Sequence, residues 1–202
     1  CWDCVQIVPV KVYEDNNNTV YGSSDDFVAG LDEALKRKAN VVNMSMGFAV
    51  TFDLLREKIE ELADAGIILV AAAGNGSGNV SYPAAYPGVI CVSSVNSDKE
   101  ISEFSNRGPQ VDIAAPGEDV TSTGVDSTVT PIAYYLTESG TSFAAPHVAG
   151  AAAILLANGR PASSVLDAIQ ATAQQQGTEI PNDEYGYGIL DVGAALLYQP
   201  FN

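Results

Sequence analysis

The chain has 202 residues, with 25 acidic against 9 basic side chains and a formal net charge of −16. That length holds one sizeable core, in one domain over residues 1–202, and 47% hydrophobic with 17% charged residues describes a globular chain, not a disordered one. The acidic surplus excludes nucleic acid and anionic membrane surfaces as partners, because both need a basic face.

In chain order, the opening CWDCVQIVPVKVY has neither an initiator Met nor a signal peptide, and is expected to be a cut end. Its residues 4–13 read as a strand. The polar stretch 14–19, EDNNNT, reads as an Asx-rich turn, and calcium ligation there is the weaker reading. Residues 23–39 form an amphipathic pattern with Phe27, Val28, Leu31, Ala34 and Leu35 at helical spacing. Ser23 or Ser24 is the N-cap and acids fill the first turn. Residues 40–46 (NVVNMSM) are the next strand and residues 51–66 the next helix, stopped at Gly66. Residues 67–74 (IILVAAAG) are apolar on both faces, as a buried parallel strand should be. Residues 88–95 and 111–117 are further strands. Residues 142–159 and 161–174 are helices, and 185–197 is a closing segment.

Alternating strands and helices predict an α/β fold: three layers, a mostly parallel sheet with helices on both faces. Ligands of such sheets bind beyond the carboxyl ends of the strands. The longest apolar run, 149–157, is too short to span a membrane. Three cysteines and one histidine do not make a zinc site. Cys91 reads as a core residue. Cys1 and Cys4 form a Cys-x-x-Cys, free to pair with each other or with a partner outside the chain.

The stretch 139–150, SGTSFAAPHVAG, carries the chemistry. Proline is tolerated only near a helix start, so Pro146 places that start close to Ser142. A serine there sits in a field that favours developing negative charge. The plain alternative is a serine capping a buried, Ala-rich helix. His147, the chain's one histidine, is five residues on. In a helix that means about 7–8 Å along the axis and a rotation of about 140°, so it is not expected to reach the serine oxygen as a base.

GTSFAAPHVAG resembles the active-serine motif of the subtilisin family, the subtilases. VVNMSMG (41–47), VAAAGNGSG (70–78), SYPAAYPGVICVSSV (81–95), FSNRGPQVDIAAPG (104–117) and YGYGILDVGAAL (185–196) resemble other family segments in the same order. The resemblance implies a subtilisin-like fold and a serine endopeptidase. Ser142 would be the nucleophile, and Asn75 and the Ser142 N–H the oxyanion donors. Met44, Ser45, Met46 and Gly47 would line a substrate pocket with Ala71, Ala72, Ala73 and Gly74, and Ser81 would lie near its base. The small walls suggest room for a sizeable substrate side chain. An extended polypeptide substrate would pair as an added strand.

Two family motifs are absent: Asp-Ser/Thr-Gly for the triad aspartate and His-Gly-Thr for the triad histidine. VDST (125–128) lacks the glycine and lies in the wrong place, and His147 matches the family's structural histidine. The expectation is therefore a subtilase domain lacking its N-terminal part. A companion segment or chain would carry the aspartate and histidine, and these 202 residues alone would be inert. A propeptide or inhibitor is a further expected partner. No cofactor is required, and calcium enters only as a structural ion. The family prior for location is extracellular. The alternative reading is an inactive subtilase-like module that binds peptides or a partner. A dinucleotide site at GNGSG is set aside because a helix must follow such glycines, and here NVSYPAAYPG follows.

Overall fold

The computed structural model describes residues 4–16, 19–126 and 133–199. Its centre is a four-stranded parallel sheet in the order β3-β4-β5-β6, built from Val41–Met44, Ile68–Ala72, Val89–Val95 and Val111–Pro116. Every residue of β4 and β5 is buried. That matches their unbroken apolar runs, since a parallel strand covered on both faces has no side to give to water. Alternation divides β4 between two cores. Leu69 and Ala71 face the core under helices α1 (Ser24–Lys36) and α2 (Asp53–Asp64). Ile68, Val70 and Ala72 face the core under α3 (Thr141–Ala157) and α4 (Val165–Thr172). The expected three-layer α/β arrangement is the one observed.

Helix α1 starts where its cap predicts. The Ser23 hydroxyl accepts from the Asp26 N–H, and the Asp26 carboxylate accepts from the Ser23 N–H, which satisfies donors that a helix start leaves open. Helix α2 lacks a side-chain cap and ends two residues before Gly66, whose φ of +78° suits glycine. Helix α4 is preceded by a 3-10 turn, Ala162–Ser164, and a short α5 (Val192–Leu197) closes the chain, capped by Asp191.

Two antiparallel hairpins lie outside the main sheet. One is β1–β2 (Glu14–Asn16 and Thr19–Tyr21), so Glu14, Asp15, Asn16 and Thr19 of the expected 14–19 turn are in strands, and residues 17 and 18 lie outside the described residues. The other, β7–β8 (Val120–Asp126 and Ala133–Glu138), is absent from the sequence-based expectations. It leads into α3.

Residues 4–13, expected to be a strand, form none. They run beside α1, where a side chain on Gly30 would strike Val12 at 2.4 Å. A strand is defined by a hydrogen-bonded neighbour, and no described strand lies next to this segment. Pro9 also withdraws one of its donors.

At the far side of the sheet, Asp112 on β6 is largely buried. Its carboxylate accepts from the Cys91 N–H at 2.9 Å and from the Gln170 amide at 3.2 Å. Burial pushes its pKa up to about 6, with the Cys91 N–H pulling the other way. Cys91 itself is fully buried in the sheet, and burial pushes its thiol well above the ordinary range.

Candidate active site

Ser142 lies in the first turn of α3, beyond the carboxyl end of β3. The N–H groups of a first helical turn have no acceptor within the helix, so the Ser142 N–H is available to a ligand. One turn later Pro146 supplies no N–H to the Ser142 carbonyl, which would normally receive it. The Ser45 hydroxyl donates to that carbonyl instead, at 2.7 Å. In return the Ser142 hydroxyl donates to the Ser45 carbonyl at 3.1 Å, and the Asn43 amide donates to the Ser45 hydroxyl at 2.9 Å. Proline in the helix thus ties the serine to the end of β3.

The Asn75 side chain is oriented by the residue before the serine. Its Oδ1 accepts from the Thr141 N–H at 2.9 Å and from the Thr141 hydroxyl at 2.8 Å. The Thr141 hydroxyl oxygen also accepts from the Gly74 N–H at 3.1 Å, and Thr141 is fully buried. With Oδ1 occupied, the amide presents Nδ2 as a donor. A side chain on Gly140 would stand 3.1 Å from that nitrogen, so glycine keeps the approach open.

A second clamp holds the Asn75 loop from behind. Asn106, 5% exposed, accepts at Oδ1 from the Gly76 and Gly78 N–H groups at 2.9 and 3.0 Å. Its Nδ2 donates to the Ala73 carbonyl and the Ser81 hydroxyl at 3.1 and 3.2 Å. Thr141, Asn106 and Asn43 were not among the residues singled out from sequence. Thr141 lies inside the GTS motif and Asn106 inside FSNRGP. For these two only their partners, 25 to 67 residues away in the chain, reveal their roles.

The pocket residues divide. Ser45, Met46, Gly47, Gly74 and Ser81 lie at least partly at the surface, whereas Met44, Ala71, Ala72 and Ala73 are buried. The latter four pack in the two cores, so what they can offer a bound peptide is backbone. The 44–48 and 81–82 walls meet at a bridge, with Phe48 and Tyr82 exchanging backbone hydrogen bonds of 2.7 and 2.9 Å. A side chain on Gly47 would stand 2.9 Å from the Ser81 Cβ, and one on Gly74 would stand 2.6 Å from the Ser81 hydroxyl. Both glycines therefore face Ser81.

His147 is exposed, with Nδ1 2.8 Å from the Phe143 carbonyl of its own helix. The ring is engaged with its own helix. Among the described residues no group of three or more His, Cys, Asp or Glu side chains is arranged to hold a metal ion. The side chains of the 14–19 turn lie outside those described. No described helix is long and apolar enough to cross a membrane.

A family model described as "Subtilase family" matches residues 3–188. Subtilisin DY of Bacillus licheniformis is 35% identical over 198 residues, covering 95% of this chain and 68% of that protein. The minor extracellular protease Epr of Bacillus subtilis is 33% identical, over 94% of this chain but 28% of its own length. Several other subtilisins match over about half of their length, 48% in the case of subtilisin J of Geobacillus stearothermophilus. Among solved structures, the prenylagaramide maturation protease PagA superposes with a TM-score of 0.76 at 26% identity, covering 92% of this chain and 70% of that one.

Proposed function

The chain belongs to the subtilase family, and from that membership we propose that it is the portion of a serine endopeptidase that carries the nucleophile and the oxyanion donors. The triad histidine and aspartate then come from a polypeptide segment outside these residues. The observation that carries this reading is the Asn75 amide. Thr141 occupies its Oδ1 twice, which aims Nδ2 beside the Ser142 N–H at the start of α3. Two donors set in advance where negative charge will develop are what acyl transfer needs.

In the proposed reaction Ser142 Oγ attacks the scissile carbonyl carbon and its proton passes to the incoming imidazole. Asn75 Nδ2 and the Ser142 N–H receive the oxyanion. The amine departs with the proton returned by the same imidazole, and water releases the acyl group by the reverse sequence. In the structure the Ser142 hydroxyl donates to the Ser45 carbonyl, so that hydrogen bond must break as the base arrives. An extended polypeptide substrate is proposed between the Ser45–Gly47 and Gly74–Ser81 walls, and a propeptide or inhibitor would use the same cleft. An extracellular location is proposed from the Bacillus relative whose name states it for that protein.

A second reading is favoured by one observation: the only histidine is turned to the Phe143 carbonyl. In that reading the chain binds peptides or a partner without cleaving them. Fluorophosphonate labelling read by intact mass separates the two. These residues alone should give no adduct. A sample that also contains the complementary segment should give a stoichiometric adduct that Ser142→Ala removes. An adduct on the isolated chain would refute the need for an outside base. Peptide binding without any adduct in the complete sample would leave the binding module.

A further inference from the structure

The dipeptide Asn-Gly occurs twice in the sequence, at 75–76 and at 158–159. Glycine after asparagine leaves the backbone nitrogen unshielded, because no side chain stands beside it. That nitrogen can attack the asparagine Cγ, so the chain can modify itself. At Asn75 each reacting group has a defined partner. The electrophile is Cγ, whose Oδ1 accepts from the Thr141 N–H and the Thr141 hydroxyl at 2.9 and 2.8 Å. Two donors on that oxygen polarise the amide and stabilise charge on it as a nitrogen adds. The leaving group is Nδ2 of an exposed side chain. What the fold withholds is the nucleophile. The Gly76 N–H donates to Asn106 Oδ1 at 2.9 Å, and the same oxygen takes the Gly78 N–H at 3.0 Å. The Gly76 nitrogen must lose its proton and turn toward Cγ before it attacks. Asn106, 5% exposed, holds both the proton and the orientation.

We propose that Asn75–Gly76 is a self-deamidation site gated by Asn106, and that its product switches off the oxyanion donor. When Asn106 releases the loop, the Gly76 nitrogen gives its proton to hydroxide and bonds to Asn75 Cγ. The Cγ–Nδ2 bond breaks, Nδ2 takes a proton from water and leaves as ammonia, and a cyclic succinimide remains. Water then opens one of its two carbonyls and leaves aspartate or isoaspartate at 75. The net exchange is water for ammonia, with no oxidant or reductant. This chemistry needs only the chain itself. Its consequence rests on the proposed catalysis: a carboxylate has no N–H to offer, and its charge repels an oxyanion.

The second Asn-Gly supplies a contrast within the same molecule. It ends α3, where Asn158 Nδ2 donates to the Ile154 carbonyl and the Gly159 N–H to the Leu156 carbonyl, both at 2.9 Å. Asn106 takes no part in either bond, so loss of Asn106 should leave this site unmoved.

The test ages the 202-residue chain at mildly alkaline pH and follows residues 75 and 158 by peptide mass, with released ammonia as a second readout. Wild type should convert Asn75 more slowly than a free GNGSG peptide does. Asn106→Ala should raise the rate at 75 by roughly ten-fold or more, the opening gained when two hydrogen bonds to the loop are lost, and leave 158 unchanged. Gly76→Ala, whose methyl would stand 3.5 Å from Asn106 Oδ1, an ordinary contact, should suppress conversion at 75 in both backgrounds. Equal acceleration at 75 and 158 would show global unfolding and overturn the gate. So would an unchanged rate at 75 in Asn106→Ala, or a wild-type rate equal to the peptide's. In a sample that also contains the complementary segment, fluorophosphonate labelling of Ser142 should fall in step with conversion at 75. Labelling that persists after full conversion overturns the switch. Absence of labelling before ageing refutes the proposed catalysis and with it the switch, while conversion gated by Asn106 would still stand.

Discussion

On one side of β4 the sheet continues into β5 and β6, strands buried along nearly their whole length and covered by α3 and α4. The loops at the carboxyl ends of those strands are clamped: Asn106 holds the Asn75 loop at both ends and Thr141 fixes the amide itself. On the other side β3 is the last described strand of the sheet, and a groove lies between it, α1 and the extended segment through Val5, Ile7 and Val10. The half that would stabilise negative charge is complete within this chain. The half that would accept a proton is an edge. The Asn75 and Ser142 geometry is built from contacts between segments that lie within this chain.

The largest expected effect tests the closed half. Asn106→Ala deletes four hydrogen bonds of a nearly buried side chain, each with a net contribution of about 1 kcal/mol. A loss of about 3 kcal/mol is expected, a fall in Tm of roughly 6–12 °C for a chain of this size, with exchange rising across residues 74–78. A Tm within about 2 °C of wild type would mean that the loop is held by its own backbone and the comparison is drawn too sharply.

Asp112 probes the same half from the other end of the sheet. Its pKa in the fold is about 6 against 3.8 for the free side chain. The folded chain therefore holds that proton more tightly than the unfolded one. The stability this contributes is complete below pH 3.8 and is lost as pH rises through about 6. Asp112→Asn should remove about 2 kcal/mol of pH dependence across that window, because an amide can still accept from the Cys91 N–H and turn its NH₂ toward a flipped Gln170. Asp26 and Asp32, held below the usual carboxylate range by Ser23 and Lys58, run the opposite way. The measurement is therefore the variant-minus-wild-type difference in urea midpoints from pH 4 to 8. A flat difference would show that water reaches the carboxylate.

Ser45→Ala tests the seam between the halves. It leaves the Ser142 carbonyl without the donor that Pro146 cannot supply, a loss of about 1–2 kcal/mol. Pro146→Ala restores an in-helix N–H, so Ser45→Ala should cost about 1 kcal/mol less in that background. Equal losses in both backgrounds would show that Ser45 acts only through its own packing.

What the sequence revealed follows the same division. The runs IILVAAAG and GVICVSSV mark strands β4 and β5 because burial on both faces leaves no polar position to confuse the pattern. The GTS motif marks the serine because helix start, glycine and proline are neighbours in the chain. Residues 4–13 carry a strand pattern, but pattern cannot supply a neighbour. Asn106 was passed over because its value lies in reaching Gly76, Gly78 and Ser81 across 25 to 30 residues. The β7–β8 hairpin was missed because its exposed strand β8, with Tyr134 and Tyr135 65% and 70% accessible, has no apolar face to announce it.

The smallest expected effect falls on the open half. Ser23→Ala removes the hydroxyl that accepts from the Asp26 N–H and breaks the reciprocal cap of α1, a loss of about 1 kcal/mol. Its distribution matters more than its size. Helix α1 packs on α2 and overhangs the groove, so fraying there need not disturb β4–β6. Faster exchange confined to the first turn of α1, with β5 unchanged, would show that the open half loosens independently. A uniform rise across β4 and β5 would show that the two halves unfold as one unit, with the groove a rigid feature of a single cooperative core.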